Sequence, residues 1–345
     1  MKLLILGGTQ FVGRHLTTIA LARNHEVTLF NRGRYSSASI ANVEIIHGNR
    51  NHDLALLRGR RWDAVIDTCG YLPRSVCASA QALAACVNRY VFISSISACA
   101  DFSVPGMDET AALATLTPEK LEAANAIDQS GPISAIDYGS SYGGLKALCE
   151  QAVEEIMPSR ALILRPGLVV GTGDYTDRFT YWVARVARGG EVLAPGRPDR
   201  FLQLIDVYDL AQWTIKMAED KATGIYNAVG EPRRLTMTSI LETCKTVSKS
   251  NATFAWVSDD FLLENQVAVW SDIPLWIPDS QQDMKGFMFI DCNKAFAAGL
   301  ALRPIHETIQ DVLNWHQTNR TKEKLKAGIG PDKERELLQL WHVLN

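Results

Sequence analysis

The chain has 345 residues, 35 Lys+Arg against 38 Asp+Glu and a formal charge of -3, so its own field gives it no general pull toward nucleic acid or anionic membranes. Its 47% apolar fraction, with 24 Gly and 13 Pro, is that of an ordinary globular protein and excludes disordered and fibrous classes. The length suggests about two folding units.

No stretch reaches the roughly 18 unbroken apolar residues a membrane helix needs, so no membrane partner is expected. The opening Met1-Lys2-Leu3-Leu4-Ile5-Leu6 stops at Gly7-Gly8, which is too short for a signal peptide and reads as a buried strand. The seven cysteines are odd in number and never form a CxxC pair; they read as reduced thiols of a cytoplasmic protein. His47, His52 and His306 show no metal-ligand spacing, and no metal is expected.

In chain order the pattern predicts a strand over 2–6, a helix over 11–24, strands over 26–30, 43–46 and 64–67, a helix over 74–87 and a strand over 90–94. Short apolar runs alternating with helical patterns are the mark of βαβ units and a parallel sheet. Residues 101–138 lack clear periodicity; 139–157 then read as a long helix and 161–164 as a strand. Beyond Pro166 the regular alternation stops and Trp182, Trp213, Trp256, Trp270 and Trp276 appear. A helix over 206–218 and a strand over 224–229 return to the first pattern, and a final helix runs from Pro331 to about 343. The expected class is α/β, a doubly wound parallel sheet of the Rossmann kind with a smaller, irregular C-terminal substrate lobe. The expected division is 1–165 with about 204–235 for the sheet domain, about 166–203 with 236–320 for the lobe, and 321–345 as a helical extension.

The segment Leu6-Gly7-Gly8-Thr9-Gln10-Phe11-Val12-Gly13 falls between the first strand and the first helix. Gly7 permits a tight exit, the helix N-terminus offers free N–H groups to a pyrophosphate, and Gly13 allows close helix–sheet packing. A dinucleotide is the natural ligand, with Gly7, Thr9, Gln10, Phe11 and Val12 as its contacts, although Gln10 stands where the GxxGxxG spacing has its middle glycine. The second strand ends Phe30-Asn31-Arg32-Gly33-Arg34 without a carboxylate. An acid there would accept from both ribose hydroxyls, whereas arginine pairs with a 2'-phosphate, so NADP(H) is favoured and NAD(H) is the alternative. Asn49, after the third strand, is placed near the adenine edge.

The fifth strand ends in Ser94-Ser95-Ile96-Ser97, and the later helix carries Tyr142-Gly143-Gly144-Leu145-Lys146, with Tyr142 and Lys146 one turn apart on one face. In this order, dinucleotide turn, five strands, hydroxyl-bearing strand end and YxxxK, the chain resembles the extended short-chain dehydrogenase/reductase superfamily, in its NAD-dependent epimerase/dehydratase-like branch. The resemblance covers about residues 1–320, including Arg165-Pro166-Gly167 and Ile205-Asp206-Val207-Tyr208-Asp209-Leu210-Ala211. It implies that Ser95, with Ser97 as the fallback, binds the substrate oxygen, that Tyr142 passes the proton, and that Lys146 stabilises the phenolate and binds the nicotinamide ribose. It also implies Pro166 against the nicotinamide, and dimerisation through the Tyr142 helix.

Departures from the family narrow the activity. Ile96 and Ser97 stand where 4,6-dehydratases carry an Asp-Glu pair, and that dehydration therefore lacks its acid and base. Leu168 and Leu202 stand where sugar-nucleotide epimerases hold the substrate diphosphate, with Arg178, Arg197 and Arg200 as possible substitutes. The GxSxG match at 139–143 lacks the strand a nucleophile elbow requires. The leading expectation is an NADP(H)-dependent oxidoreductase interconverting a ketone and a secondary alcohol on a small polar metabolite. The alternatives are an epimerase with retained cofactor and a non-catalytic RNA-binding relative, which the near-neutral charge disfavours.

Overall fold

The computed structural model describes residues 1–34, 42–131, 133–320 and 324–344. The chain forms β1 (Lys2–Leu6), α1 (Phe11–Ala22), β2 (Glu26–Asn31), β3 (Glu44–His47), β4 (Trp62–Asp67), α2 (Pro73–Leu83), β5 (Val87–Ile93), α3 (Pro118–Ala126), α4 (Tyr142–Ile156) and β6 (Ala161–Pro166). It continues through β7 (Leu168–Val170), α5 (Arg178–Ala187), β8 (Glu191–Pro195), β9 (Phe201–Leu202), β10 (Leu204–Asp206), α6 (Val207–Glu219) and β11 (Gly224–Ala228). The remainder comprises β12 (Leu235–Thr236), α7 (Met237–Ser248), β13 (Thr253–Val257), α8 (Asp259–Glu264), α9 (Asn293–Ala297), α10 (Ile305–Asn319) and α11 (Pro331–Leu344).

Seven strands pair in parallel in the order β3-β2-β1-β4-β5-β6-β11. Successive side chains of a strand face opposite ways, and in β1 both faces are apolar. Leu3 and Ile5 pack with Leu16 and Ile19 of α1 and Leu210 of α6. Leu4 and Leu6 pack with Val76 and Leu83 of α2 and Val153 of α4. The order reverses between β1 and β4, and at such a switch point the ligand crevice opens at the carboxyl ends of the strands. The expected doubly wound class is the one observed.

The second lobe is built on α5, α7 and α10 with the parallel pair β8 and β13, around the fully buried Trp182 and Trp276. Helix α11 joins this core through Leu337 and Leu338, and its buried Glu334 accepts from Arg185 Nε at 2.7 Å. Residues 321–345 therefore include an integral helix of the lobe. Residues of 293–302 also depart from the sequence-based division, since Ala295 and Leu300 pack into the core of the sheet domain.

Helix α3 lies within the stretch expected to be aperiodic. Its start is well signalled, with Pro118 in the first turn and Thr117 as a side-chain cap, but of its nine residues only Ala124 is buried. The apolar stripe that would reveal a helix is missing.

Asp209 is buried in the first turn of α6, where it accepts the Arg303 N–H at 3.0 Å. Burial pushes its carboxyl up to about 6, with the Arg303 N–H pulling the other way. A folded-state value above the unfolded one, near 3.9, means that this site favours folding when protonated and that the gain is lost between about pH 4 and 6. Asp209→Asn should raise the melting temperature at neutral pH and change it little near pH 4, measured by calorimetry at both. An equal shift at the two pH values would contradict this.

Candidate active site

The phosphate turn is fastened at several points. Gly7 and Gly8 adopt φ of +103° and +86°, which glycine alone takes without strain. Thr17 Oγ1 donates to the Gly8 carbonyl at 3.0 Å, and Asn31 Nδ2 donates to that of Gly7 at 3.3 Å. Gln10 replaces the middle glycine at no cost because its backbone is extended, with φ of -129°. The irregularity moves to Phe11, at φ +38°. His15 and Tyr175 pack edge-on to that ring at 6.4 and 6.3 Å.

One cleft at the carboxyl ends of β1, β2 and β4 is lined by Gly7, Thr9, Gln10, Phe11, Val12, Arg32, Arg34 and Asn49. These include every predicted cofactor contact except Lys146 and Pro166. The turn's open N–H groups and the glycines that permit it fit a dinucleotide pyrophosphate. Arg32 donates to the Gln129 carbonyl at the rim. Asn31, where an acid would read the ribose, is committed to the turn, accepting the Gly33 N–H at 2.8 Å. The Asn49 side-chain oxygen accepts the Asn51 N–H at 3.1 Å. In the cleft floor Arg50 clasps the buried Asp67 with contacts of 2.8 and 2.7 Å. Burial alone would raise Asp67; Arg50 and the Tyr90 hydroxyl outweigh it and hold the carboxyl below its ordinary value.

The serines at the end of β5 are separated by their partners. Ser94 donates to the buried Glu150, Ser95 lies close enough to Tyr142 to act on its phenol, and Ser97 accepts from Ser95 at 3.1 Å. The structure thus brings the two predicted hydroxyls, Ser95 and Tyr142, together and leaves Ser97 behind them. Burial raises the Tyr142 phenol well above its ordinary range, with Ser95 pulling the other way.

Helix α4 packs flush because Gly143 and Gly144 allow it: a Cβ on Gly143 would lie 2.2 Å from the Ser97 carbonyl oxygen, and one on Gly144 2.5 Å from Leu116. Lys146, one turn on, is buried and donates to the carbonyls of Gly70 and Ile93 at 2.9 and 2.7 Å, with the Phe92 ring 4.2 Å away. Burial depresses its ammonium. Pro166 ends β6, buried and paired with Ala228. Ser141 of the GxSxG match ends a 3-10 turn over Ala135–Ser141, with no strand running into it.

Sequence reasoning missed three tyrosines. Tyr71 lies 6.4 Å from the Tyr142 ring and stacks on Tyr138 at 5.7 Å. Tyr175, from the second lobe, lies close enough to Tyr71 to help raise its phenol, after burial. Tyr71 follows β4 at the crevice end of the sheet, and that place in the chain was a usable signal. For Tyr175 and Tyr138 no local pattern exists. Glu150 was also missed, although it stands one turn beyond Lys146.

Gly13 carries a test of the turn. A Cβ there would meet the Gly8 backbone nitrogen at 2.7 Å and its Cα at 2.9 Å, and backbone cannot swing aside. Gly13→Ala should therefore weaken dinucleotide binding at least about tenfold, as displaced turn amides would, by calorimetric titration. Unchanged affinity would remove this turn from the binding site.

No curated protein matches the chain. Among solved structures it is similar to the UDP-glucose 4-epimerase of Thermotoga maritima (15% identity, TM-score 0.64, covering 92% of this chain and 99% of that one). It is similar also to the UDP-Glc/GlcNAc 4-epimerase of Campylobacter jejuni (15%, 0.66, 92% and 99%) and to the UDP-glucuronic acid 4-epimerase of Bacillus cereus, solved with NAD (14%, 0.65, 92% and 99%). At these identities the likeness is one of fold. The profile of the NAD dependent epimerase/dehydratase family matches residues 3–229, about two thirds of the sequence, and the chain belongs to that family as an NAD(P)-dependent enzyme of the short-chain dehydrogenase/reductase type.

Proposed function

We propose that this enzyme moves a hydride between a secondary alcohol carbon of its substrate and a nicotinamide, and that the net reaction is an epimerisation with the cofactor retained. The observation that carries the chemistry is the Ser95–Tyr142 hydroxyl pair, held at the end of β5 beside a sheet whose first turn is built for a dinucleotide. When bound, the nicotinamide supplies a carbon that accepts and returns the hydride. Ser95 holds the substrate oxygen, and Tyr142 accepts its proton as the carbon–hydrogen bond breaks and gives it back on return. Lys146, fixed by two carbonyls, supplies positive charge behind the phenol. Retention is supported by Tyr175, which reaches from the second lobe onto Phe11 and Tyr71 across the turn. The family match favours this reading over net reduction.

A second reading, an NADP(H)-dependent oxidoreductase interconverting a ketone and a secondary alcohol, is favoured by one observation: Arg32 and Arg34 line the cleft, and no acid does among the described residues. Both readings take a small-molecule substrate, and a homodimer through α4 is part of the proposal. Among the described residues no helix is long and apolar enough to cross a membrane.

Tyr142→Phe should keep fold and cofactor affinity while turnover falls at least about 10²-fold, as expected for loss of a proton-transfer group. Near-normal turnover would defeat the assignment. Because the phenol must be ionised to take a proton and burial raises it, alcohol oxidation should keep accelerating as pH rises through the alkaline range, with no plateau at the ordinary phenol value of about 10. A rate that levels off near neutrality would contradict that. Arg32→Ala should weaken NADPH more than NADH, since a charge-assisted phosphate contact is worth about 1.5–3 kcal/mol; equal losses would remove the NADP preference.

A further inference from the structure

We infer that the cleft beside Tyr175, between residues 133–136 and the second lobe, binds an anionic group, the carboxylate or phosphate of a small ring-bearing substrate. That the ligand is the substrate rests on the hydride-transfer reading; that the site takes an anion does not. The cleft has a volume of about 410 Å³ and shares Gln10, Ile133 and Tyr175 with the cofactor cleft. Two cations line it, Arg178 and Lys326, and no carboxylate does among the described residues.

Neither cation pairs with an acid among the described residues. Asp174 lies within electrostatic reach of Arg178, but it is buried and accepts the Thr176 N–H and hydroxyl at 2.8 and 2.7 Å. Asp177 is buried and taken up by Arg320 and by the Lys326 backbone N–H at 2.9 Å. Arg178 instead lies over the Trp270 ring, 5.7 Å from its centroid. Stacking holds a guanidinium flat and leaves its donor edge free for a planar or tetrahedral anion, and the indole offers a face to a ring. Two cations in a shared cleft without a counter-charge favour an anionic visitor.

The position suits a substrate. Residues 133–136 enter and begin the 3-10 turn that leads to Tyr142. Tyr175 lines both this cleft and the cofactor cleft, and lies close enough to Tyr71 and Tyr142 to raise both phenols. Of the three arginines Arg178, Arg197 and Arg200, two already hold acids, Arg197 with Asp199 and Asp279, and Arg200 with Asp259. Arg178 is the one of the three without an acid partner among the described residues.

The test uses the full-length protein with its cofactor and phenyl phosphate as the probe, with neutral phenol as the control, followed by calorimetry. Phenyl phosphate should bind, should weaken at least about tenfold in Arg178→Ala, and should weaken with added salt as an ionic contact does. Arg178→Lys should recover part of the loss and Trp270→Phe should lose part. Phenol should respond to none of these changes. Failure of phenyl phosphate to bind, or binding indifferent to Arg178→Ala, would overturn the site. Tyr142→Phe should bind phenyl phosphate like the unaltered enzyme. If Tyr142→Phe retains turnover while the Arg178 dependence holds, the hydride reading fails and the anion site stands. The reverse pattern removes the anion site alone.

Discussion

The buried pair of Glu150 and Arg165 fixes the geometry on which the rest of the site depends. Each side chain is 1% exposed, and the guanidinium grips both carboxylate oxygens, with Arg165 Nη2 to Glu150 Oε2 at 2.7 Å and Arg165 Nε at 3.0 and 3.1 Å. Ser94 donates to the same carboxylate. Helix α4, the end of β5 and the end of β6 are thereby pinned to one another. Two charges this far from water are tolerated only when such contacts are complete, and removal of one partner typically costs about 3–5 kcal/mol. Two turns earlier on α4, Tyr142 can meet Ser95 only if this register holds.

The second constraint is closeness. Gly143 and Gly144 let α4 lie against the backbone at Ser97 and the Thr115–Leu116 segment, and Gly13 does the same for α1 against Gly8. Where glycine is missing the backbone compensates, as at Gln10, which stays extended while Phe11 takes φ of +38°. A non-glycine residue in that region costs on the order of 1–3 kcal/mol. Tyr175 and His15, both on the Phe11 ring, are the contacts that hold it there. The strained residue of the cofactor turn is thus tied directly to the second lobe.

What was legible in the sequence is what local chemistry writes into adjacent residues. Alternating apolar faces gave β1 and its helices, the glycines gave the turn, and the i,i+4 spacing gave Tyr142 and Lys146. Ser95 was separable from Ser97 only in part, because both end the same strand; the choice depends on which one the Tyr142 hydroxyl reaches. The resting place of Lys146, on the carbonyls of Gly70 and Ile93, was not legible, since it requires a loop and a strand end distant from it in the chain. The same holds for Tyr175 against Tyr71, 104 positions apart in the sequence, and for residues 293–302, whose apolar side chains gave no sign of returning to the sheet domain. The resemblance and the residues agreed on the fold, and the family match moved the reaction from net reduction toward epimerisation.

We propose that the cleft at the turn holds a nicotinamide dinucleotide, closed over by Tyr175 and facing the Ser95–Tyr142 pair. The most direct measurement is the mass and stoichiometry of nucleotide released when the purified, gel-filtered protein is denatured. About one NAD or NADP per chain is predicted from the cleft at the strand ends, and clearly less from Gly13→Ala. A chain that releases no nucleotide and binds neither cofactor on titration would mean that this cleft is not a dinucleotide site.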